Sequence, residues 1–173
     1  LNSKQVDVDV IEVLGRNSPN LTKFILGDSQ NMMHETIISN RSPGDKIKII
    51  ELLLKAGQKI NQTDKNTTPL LSAISIGSKE IVEFLVGKGA DVKQFEGLET
   101  TPLHTAILNG YKEIVELLLG RGAGIHNADK EGNTLLHIAV REGYSNIVEL
   151  LLDRGADINK ANNAGDTLLH IAV

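Results

Sequence analysis

The 173-residue chain contains no cysteine and no tryptophan, and aromatic residues make up 3% of it. Without thiols there is no disulfide framework, no thiolate-based zinc site and no cysteine nucleophile. The same absence fits a reducing intracellular setting, so a cytoplasmic location is expected. Single-stranded nucleic acid is bound on aromatic stacking platforms that this chain does not supply. Nor is the chain basic: 18 Lys and Arg against 22 Asp and Glu leave a net charge of −4, whereas nucleic-acid binders carry a basic patch or stripe. No apolar run approaches the roughly 18 residues that a membrane span needs. The first residues, Leu1-Asn2-Ser3-Lys4-Gln5, show no apolar core of a signal peptide. Neither nucleic acid nor a membrane is therefore an expected partner of this segment.

What the chain does have is 40% hydrophobic residues, enough for a core, arranged with a strict period. Thr68-Pro69-Leu70-Leu71-Ser72-Ala73 returns as Thr101-Pro102-Leu103-His104-Thr105-Ala106, as Thr134-Leu135-Leu136-His137-Ile138-Ala139 and as Thr167-Leu168-Leu169-His170-Ile171-Ala172. Between these segments run Ile81-Val82-Glu83-Phe84-Leu85, Ile114-Val115-Glu116-Leu117-Leu118 and Ile147-Val148-Glu149-Leu150-Leu151, closing on Gly89, Gly122 and Gly155. In the best-formed unit Thr101 suits an N-cap and Pro102 the first helical position. Leu103, Ala106 and Ile107 then share one helical face, and Gly110 stops the helix. A second helix follows, with Ile114, Val115, Leu117, Leu118 and Leu119 in a stripe broad enough for burial on two sides. Gly122 takes the left-handed C-terminal cap, and Ala123 to Asn133 is a loop with Asp129 and Gly132 as turn residues. Ala73, Ala106, Ala139 and Ala172 recur at a register where a bulky side chain would force neighbouring units apart.

This pattern resembles the ankyrin repeat, whose period and T-P-L-H-x-A signature it carries in four successive segments. The resemblance implies an all-α solenoid of stacked helix-turn-helix units with projecting β-hairpin loops, offering an extended surface instead of a catalytic cleft. Units are expected at 68–100, 101–133 and 134–166, with the start of a further one at 167–173. Carrying the register back from Gly57 places a degenerate unit at 34–67, with Thr36 and the helix Ile47 to Leu54 matching. On that register Arg41 replaces the alanine, and Ser42-Pro43-Gly44 interrupts the first helix. Residues 1–33 are expected to form a divergent N-terminal helical cap, turning at Asn17-Ser18-Pro19-Asn20. The chain begins without Met and stops partway into a unit, so a larger protein is expected around it.

Motifs that suggest chemistry have plainer readings. His104, His137 and His170 occur one per repeat, and metal ligation would need them to converge at about 2 Å on one ion. The resemblance implies instead that each bonds between repeats and fixes the loops. His34 and His126 fall in a cap and a loop, and His34-Glu35 lacks the second His of a zinc-protease helix. Gly120-Arg121-Gly122-Ala123-Gly124 follows a helix, whereas a phosphate loop follows a strand, and Val86-Gly87-Lys88 lacks the first Gly of a P-loop. Glu83, Glu116 and Glu149 read as a solvated face and not as paired catalytic carboxylates. Asp157-Ile158-Asn159 resembles the hairpin sequence that asparaginyl hydroxylases modify in this family, although a turn role suffices for it. No catalytic residue, metal or cofactor is expected.

In the family that the chain resembles, hairpin tips and the ends of the first helices vary and line a concave binding face. Those positions here are Lys65, Asn66, Ser75 and Ile76, then Phe95, Leu98, Thr100, Leu108 and Asn109, then Lys130, Glu131, Asn133, Arg141 and Glu142. Ile76, Phe95, Leu98 and Leu108 are apolar where polar residues would suffice, and the next unit offers charges. The expected function is that of a monomeric interaction module, scaffold or adaptor, binding another protein through this face. The alternatives are a targeting or regulatory arm of an effector enzyme from an intracellular bacterium or virus, then acting in host cytoplasm, or the cytosolic arm of a membrane protein.

Overall fold

The computed structural model describes residues 32–63, 67–93 and 101–171. They fall into two compact units, one ending at Ala90 and the other beginning at Asp91. Among the described residues the regular structure is all-α, nine helices with only isolated β-bridges between them. Each unit consists of helix pairs set side by side.

The first unit contains α1 (Met32–Ile38), α2 (Pro43–Lys55), α3 (Pro69–Ser75) and α4 (Lys79–Gly87). Helix α1 lies against α3, and α2 against α4, so first helices form one layer and second helices another. Met33, Ile37, Ile50, Leu53, Leu70, Ile74, Ile81 and Leu85 are all fully buried between the layers. Each contributes on the order of 1.5–3 kcal/mol by leaving water.

The degenerate repeat departs from its expected register. Ser42-Pro43-Gly44 does not interrupt the first helix; it starts the second. Ser42 is the N-cap of α2, its side chain accepting the Asp45 N–H at 3.2 Å, with Pro43 at the first helical position. Helix α2 has 13 residues where α4 has 9, which displaces the preceding helix toward the N-terminus. Helix α1 therefore begins at Met32, ahead of the expected boundary at 34, and Arg41 lies in the turn after it. The small-residue register falls on Thr36, which is a helical residue and not a cap. Its hydroxyl donates to the Met32 carbonyl at 2.7 Å, so the polar atom is satisfied within the helix. His34 belongs to this helix too, its Nδ1 lying 2.8 Å from Ser72 Oγ of α3. Where α3 ends on a left-handed glycine, Gly77, α1 has none. The buried Lys46 instead donates from Nζ to the Ile37 carbonyl at 2.7 Å, supplying the donor that a helix C-terminus lacks.

The second unit contains α5 (Pro102–Leu108), α6 (Lys112–Gly120), α7 (Leu135–Arg141), α8 (Ser145–Asp153) and the single turn α9 (Leu168–Ile171). Helices α5, α7 and α9 lie in sequence side by side, with α6 against α8 behind them. Thr101 and Thr134 cap α5 and α7 as expected, accepting the N–H of His104 at 3.1 Å and of His137 at 3.4 Å. Ala106 and Ala139 are fully buried at the expected register, while Ala172 lies outside the described residues. The second helices close on left-handed glycines, Gly122 at φ +84° and Gly155 at φ +88°. The residue after each turns back, Ala123 N–H to Leu118 O at 3.0 Å and Ala156 N–H to Leu151 O at 2.9 Å. That six-to-one bond is the one a left-handed glycine permits at a helix end.

Candidate binding surface

Two kinds of surface feature are positioned by this framework in the second unit: the tips of the loops and the ends of the first helices. Each tip is an Asx-closed turn. Asp129 Oδ1 accepts the Asn133 N–H at 2.7 Å while the Asp129 N–H donates to the Asn133 carbonyl at 3.0 Å. One period later Asn162 Oδ1 accepts the Asp166 N–H at 2.9 Å, and the Asn162 N–H donates to Asp166 O at 2.9 Å. Such turns suit Asp and Asn because the short side chain reaches its own backbone a few residues on. The hairpin expected here is reduced to one antiparallel bridge, Ala128 to Thr134.

The two tips are bonded to each other. Asn162 Nδ2 donates to Asn133 Oδ1 at 2.9 Å, and Asn163 donates from its backbone to Glu131 O at 2.9 Å and from Nδ2 to Lys130 O at 3.0 Å. The approach is close enough that a Cβ on Gly132 would lie 2.9 Å from the Asn163 nitrogen, so only glycine fits beneath the crossing chain. Behind them His137 receives the Thr134 N–H on Nδ1 at 3.1 Å, and its Nε2 lies 3.3 Å from Asp166 O. An N–H can only donate, so Nδ1 is the acceptor and Nε2 carries the proton to the Asp166 carbonyl. His137 thus bonds across to the next loop, the role implied for the motif histidine. His170 repeats the near half of this arrangement with Thr167, at 3.2 Å from its N–H and 2.9 Å from its hydroxyl, in a solvent-exposed setting. Among the described residues no group of three or more His, Asp or Glu is placed to hold a metal ion.

The expected surface residues divide. Lys65, Asn66, Phe95, Leu98 and Thr100 lie outside the described residues. In the first unit Ser75 and Ile76 are exposed at the end of α3, Ile76 to 41%. In the second unit Leu108 is 39% exposed at the end of α5, beside exposed Asn109, whose Nδ2 donates to Thr105 O at 2.8 Å. Arg141 and Glu142 occupy the equivalent end of α7 and pair with each other at 3.3 Å. Lys130 and Glu131 are exposed on the tip at 3.9 Å. Asn133 differs from the rest: it is 9% exposed and its amide is engaged on both sides, donating to Asp129 Oδ2 at 3.0 Å and accepting from Asn162. It holds the tip in place and does not project from it.

Two features were not anticipated. Ile38 ends α1 as Leu108 ends α5, and is 62% exposed; its place at the end of a first helix was hidden by the misplaced register of that repeat. Glu83, Glu116 and Glu149 are exposed, as expected, and two glutamates of the second helices also make ion pairs between helices. Glu51 pairs with Lys88 at 3.1 Å, linking α2 and the cap of α4, and Glu116 pairs with Arg154 at 3.6 Å, linking α6 and the cap of α8. Lys88 also sits 5.3 Å above the Phe84 ring centre. Exposed pairs of this kind add little stability, typically below about 1 kcal/mol. Asn159, exposed, makes a turn, its N–H donating to Asp157 Oδ1 at 2.9 Å. No helix among the described residues is long and apolar enough to cross a membrane.

A family model described as ankyrin repeats, in three copies, matches the chain at residues 8–96, 37–129 and 103–173. No curated protein matches it.

Proposed function

Because this chain belongs to the ankyrin-repeat family, whose repeats are general protein–protein interaction modules, we propose that it is a cytoplasmic scaffold or adaptor that binds one partner protein and catalyses nothing itself. It acts as a monomer, with repeats bounded at 68, 101 and 134. In the second unit the contact surface comprises Leu108 and Asn109, the ion pairs Arg141–Glu142 and Lys130–Glu131, and the tip that Asn133 holds. In the first unit the equivalent positions are Ser75 and Ile76, joined by Ile38.

The observation that carries this reading is Leu108. A 39% exposed leucine ends a helix whose other apolar residues, Leu103, Ala106 and Ile107, are buried, and paired charges end the next helix. An apolar anchor with a polar surround is the arrangement in which binding energy concentrates. The bonded loop tips hold that surround in place before binding, which lowers the ordering cost.

The test is affinity capture with the whole immobilised chain, comparing wild type with Leu108→Ala. The variant should melt within a few degrees of wild type and lose the proteins that wild type retains. Arg141→Glu should weaken capture most at low salt, because rim charges act mainly on association rate. Retention of the same proteins by both variants would move the surface away from the ends of the first helices.

A further inference from the structure

Asn109-Gly110 is the one Asn-Gly pair in the sequence. After an asparagine, the next backbone nitrogen can attack the side-chain Cγ, and glycine, with no Cβ, hinders that attack least. The Gly110 N–Cγ bond forms, the side-chain nitrogen leaves as ammonia, and a cyclic imide results. Water then opens the ring at either carbonyl to give aspartate or isoaspartate. No electrons are transferred and water is the only co-reactant.

In the folded chain both reacting groups are held. The Gly110 N–H donates to Ile107 O at 2.9 Å, and Asn109 Nδ2 donates to Thr105 O at 2.8 Å. A third restraint comes from the next helix pair. A Cβ placed on Gly110 would lie 2.8 Å from Cε1 and Cζ of Tyr144, so the tyrosine ring rests directly against this glycine. Tyr144 is itself fixed as the N-cap of α8, its N–H donating to Ala139 O at 3.0 Å. The turn closing α5 thus cannot swing out without moving a ring that belongs to its neighbour.

The equivalent turn one period later isolates the effect of that ring. Glu142 ends α7 with φ −80° and ψ −6°, close to the −94° and 0° of Asn109. The Gly143 N–H donates to Val140 O at 3.0 Å, and Gly143 has φ +76° against +71° for Gly110. Yet among the described residues no atom beyond its own chain neighbours lies within 4 Å of a Cβ placed on Gly143. The backbones match, and the difference is the ring.

We propose that Asn109 is a modification site, hydrolysed by water to aspartate or isoaspartate, and that the Tyr144 ring gates the reaction by keeping the turn closed. The product would place a carboxylate at the carbonyl end of α5, where negative charge opposes the helix dipole, and would remove the donor to Thr105 O. Leu108 would then have a charged neighbour in place of a neutral one. The site stands on its own geometry, whether or not Leu108 touches a partner.

The experiment is peptide mapping by mass spectrometry of the whole chain, incubated at mildly alkaline pH with and without denaturant. In denaturant Asn109 should deamidate faster than any other asparagine. In native buffer it should slow, and Tyr144→Ala, verified as folded by circular dichroism, should restore at least about tenfold of the rate, because exchange-like chemistry follows local opening. Glu142→Asn provides a second readout should Tyr144→Ala fail to fold. Its introduced amide should react faster than Asn109 within the same native molecules and at a similar rate in denaturant. Denatured chain in which Asn109 is no faster than other asparagines would overturn the site. Equal native rates at the two positions, or no acceleration in folded Tyr144→Ala, would overturn the gate.

Discussion

Asn162 fastens two loops with one side chain: Nδ2 donates to Asn133 Oδ1 at 2.9 Å, while its own Oδ1 accepts the N–H groups of Ala164 at 3.0 Å and Asp166 at 2.9 Å. The lateral bond crosses 29 residues of sequence, and the two others shape the tip that makes it.

Replacing Asn162 by Ala leaves three hydrogen-bonding groups without their partner. Asn133 is buried, so its Oδ1 loses a bond that water replaces poorly. The expected loss is about 1–2 kcal/mol in urea unfolding. Asn163→Ala removes one exposed bond, to Lys130 O, and keeps the backbone bond to Glu131 O, so it should cost less than half as much. Equal losses for the two would show that the lateral amide bond contributes nothing of its own.

The threonine caps should not be equivalent. Thr68 accepts one bond, from the Leu71 N–H at 3.1 Å, and Thr68→Ala should cost about 1 kcal/mol. Thr134 accepts the His137 N–H and also holds His137 Nδ1 at 2.7 Å from its hydroxyl. Since His137 reaches the next loop, Thr134→Ala should cost more than Thr68→Ala, with added loss of amide protection at Asp166 and Thr167. Identical thermal shifts would separate the cap from the loop contact.

Glycines at positive φ should fall into two classes. Gly155 has φ +88° and open space around the position a Cβ would take, with nothing within 4 Å, so Gly155→Ala suffers backbone strain alone, about 1 kcal/mol or somewhat more, and the β-branched Gly155→Val at least as much. At Gly110 the same strain adds to a collision with the Tyr144 ring. Gly110→Ala should therefore destabilise more than Gly155→Ala, and the double variant Gly110→Ala, Tyr144→Ala should recover part of the difference. Absence of any recovery would mean that strain alone governs both sites.

Helix α9 should open far more easily than its neighbours. It is a single turn in which Leu168 is buried but Leu169 is 75% exposed. Hydrogen exchange at 168–171 should run much faster than at 135–153, where Ile138, Ile147 and Leu151 are fully buried. Equal protection along both segments would contradict this gradient.

The helix pairs were legible because their determinants are local. A Thr or Ser followed by Pro or Leu supplies a cap within one turn, a glycine accepts the left-handed conformation wherever it stands, and an apolar period marks one face of a helix. These rules identify Thr101 and Gly122 from their immediate neighbours, and the repeat carries the same roles to Thr68, Thr134 and Gly155. At Ser42 the local signal for a helix start is equally clear, and it is the constant period that does not hold there. The length of α2 follows from its start at the Ser42 cap, and α1 is seated against α3 with Met33 and Ile37 fully buried, a placement that a constant spacing within 34–67 does not reveal.

The surface was less legible than the fold. Asn133 and Asn109 are both polar residues at variable positions, yet one is locked between loops and the other is exposed at a helix end. The sequence alone determined that this chain folds as repeated helix pairs of the ankyrin family, because caps, glycines and apolar stripes act over a few residues. Only the tertiary structure decided which side chains those pairs leave exposed, which glycine lies under a tyrosine ring and which asparagine joins two loops. Each of these depends on groups about thirty residues apart being brought within hydrogen-bond or van der Waals distance, and that proximity exists only once neighbouring pairs have stacked.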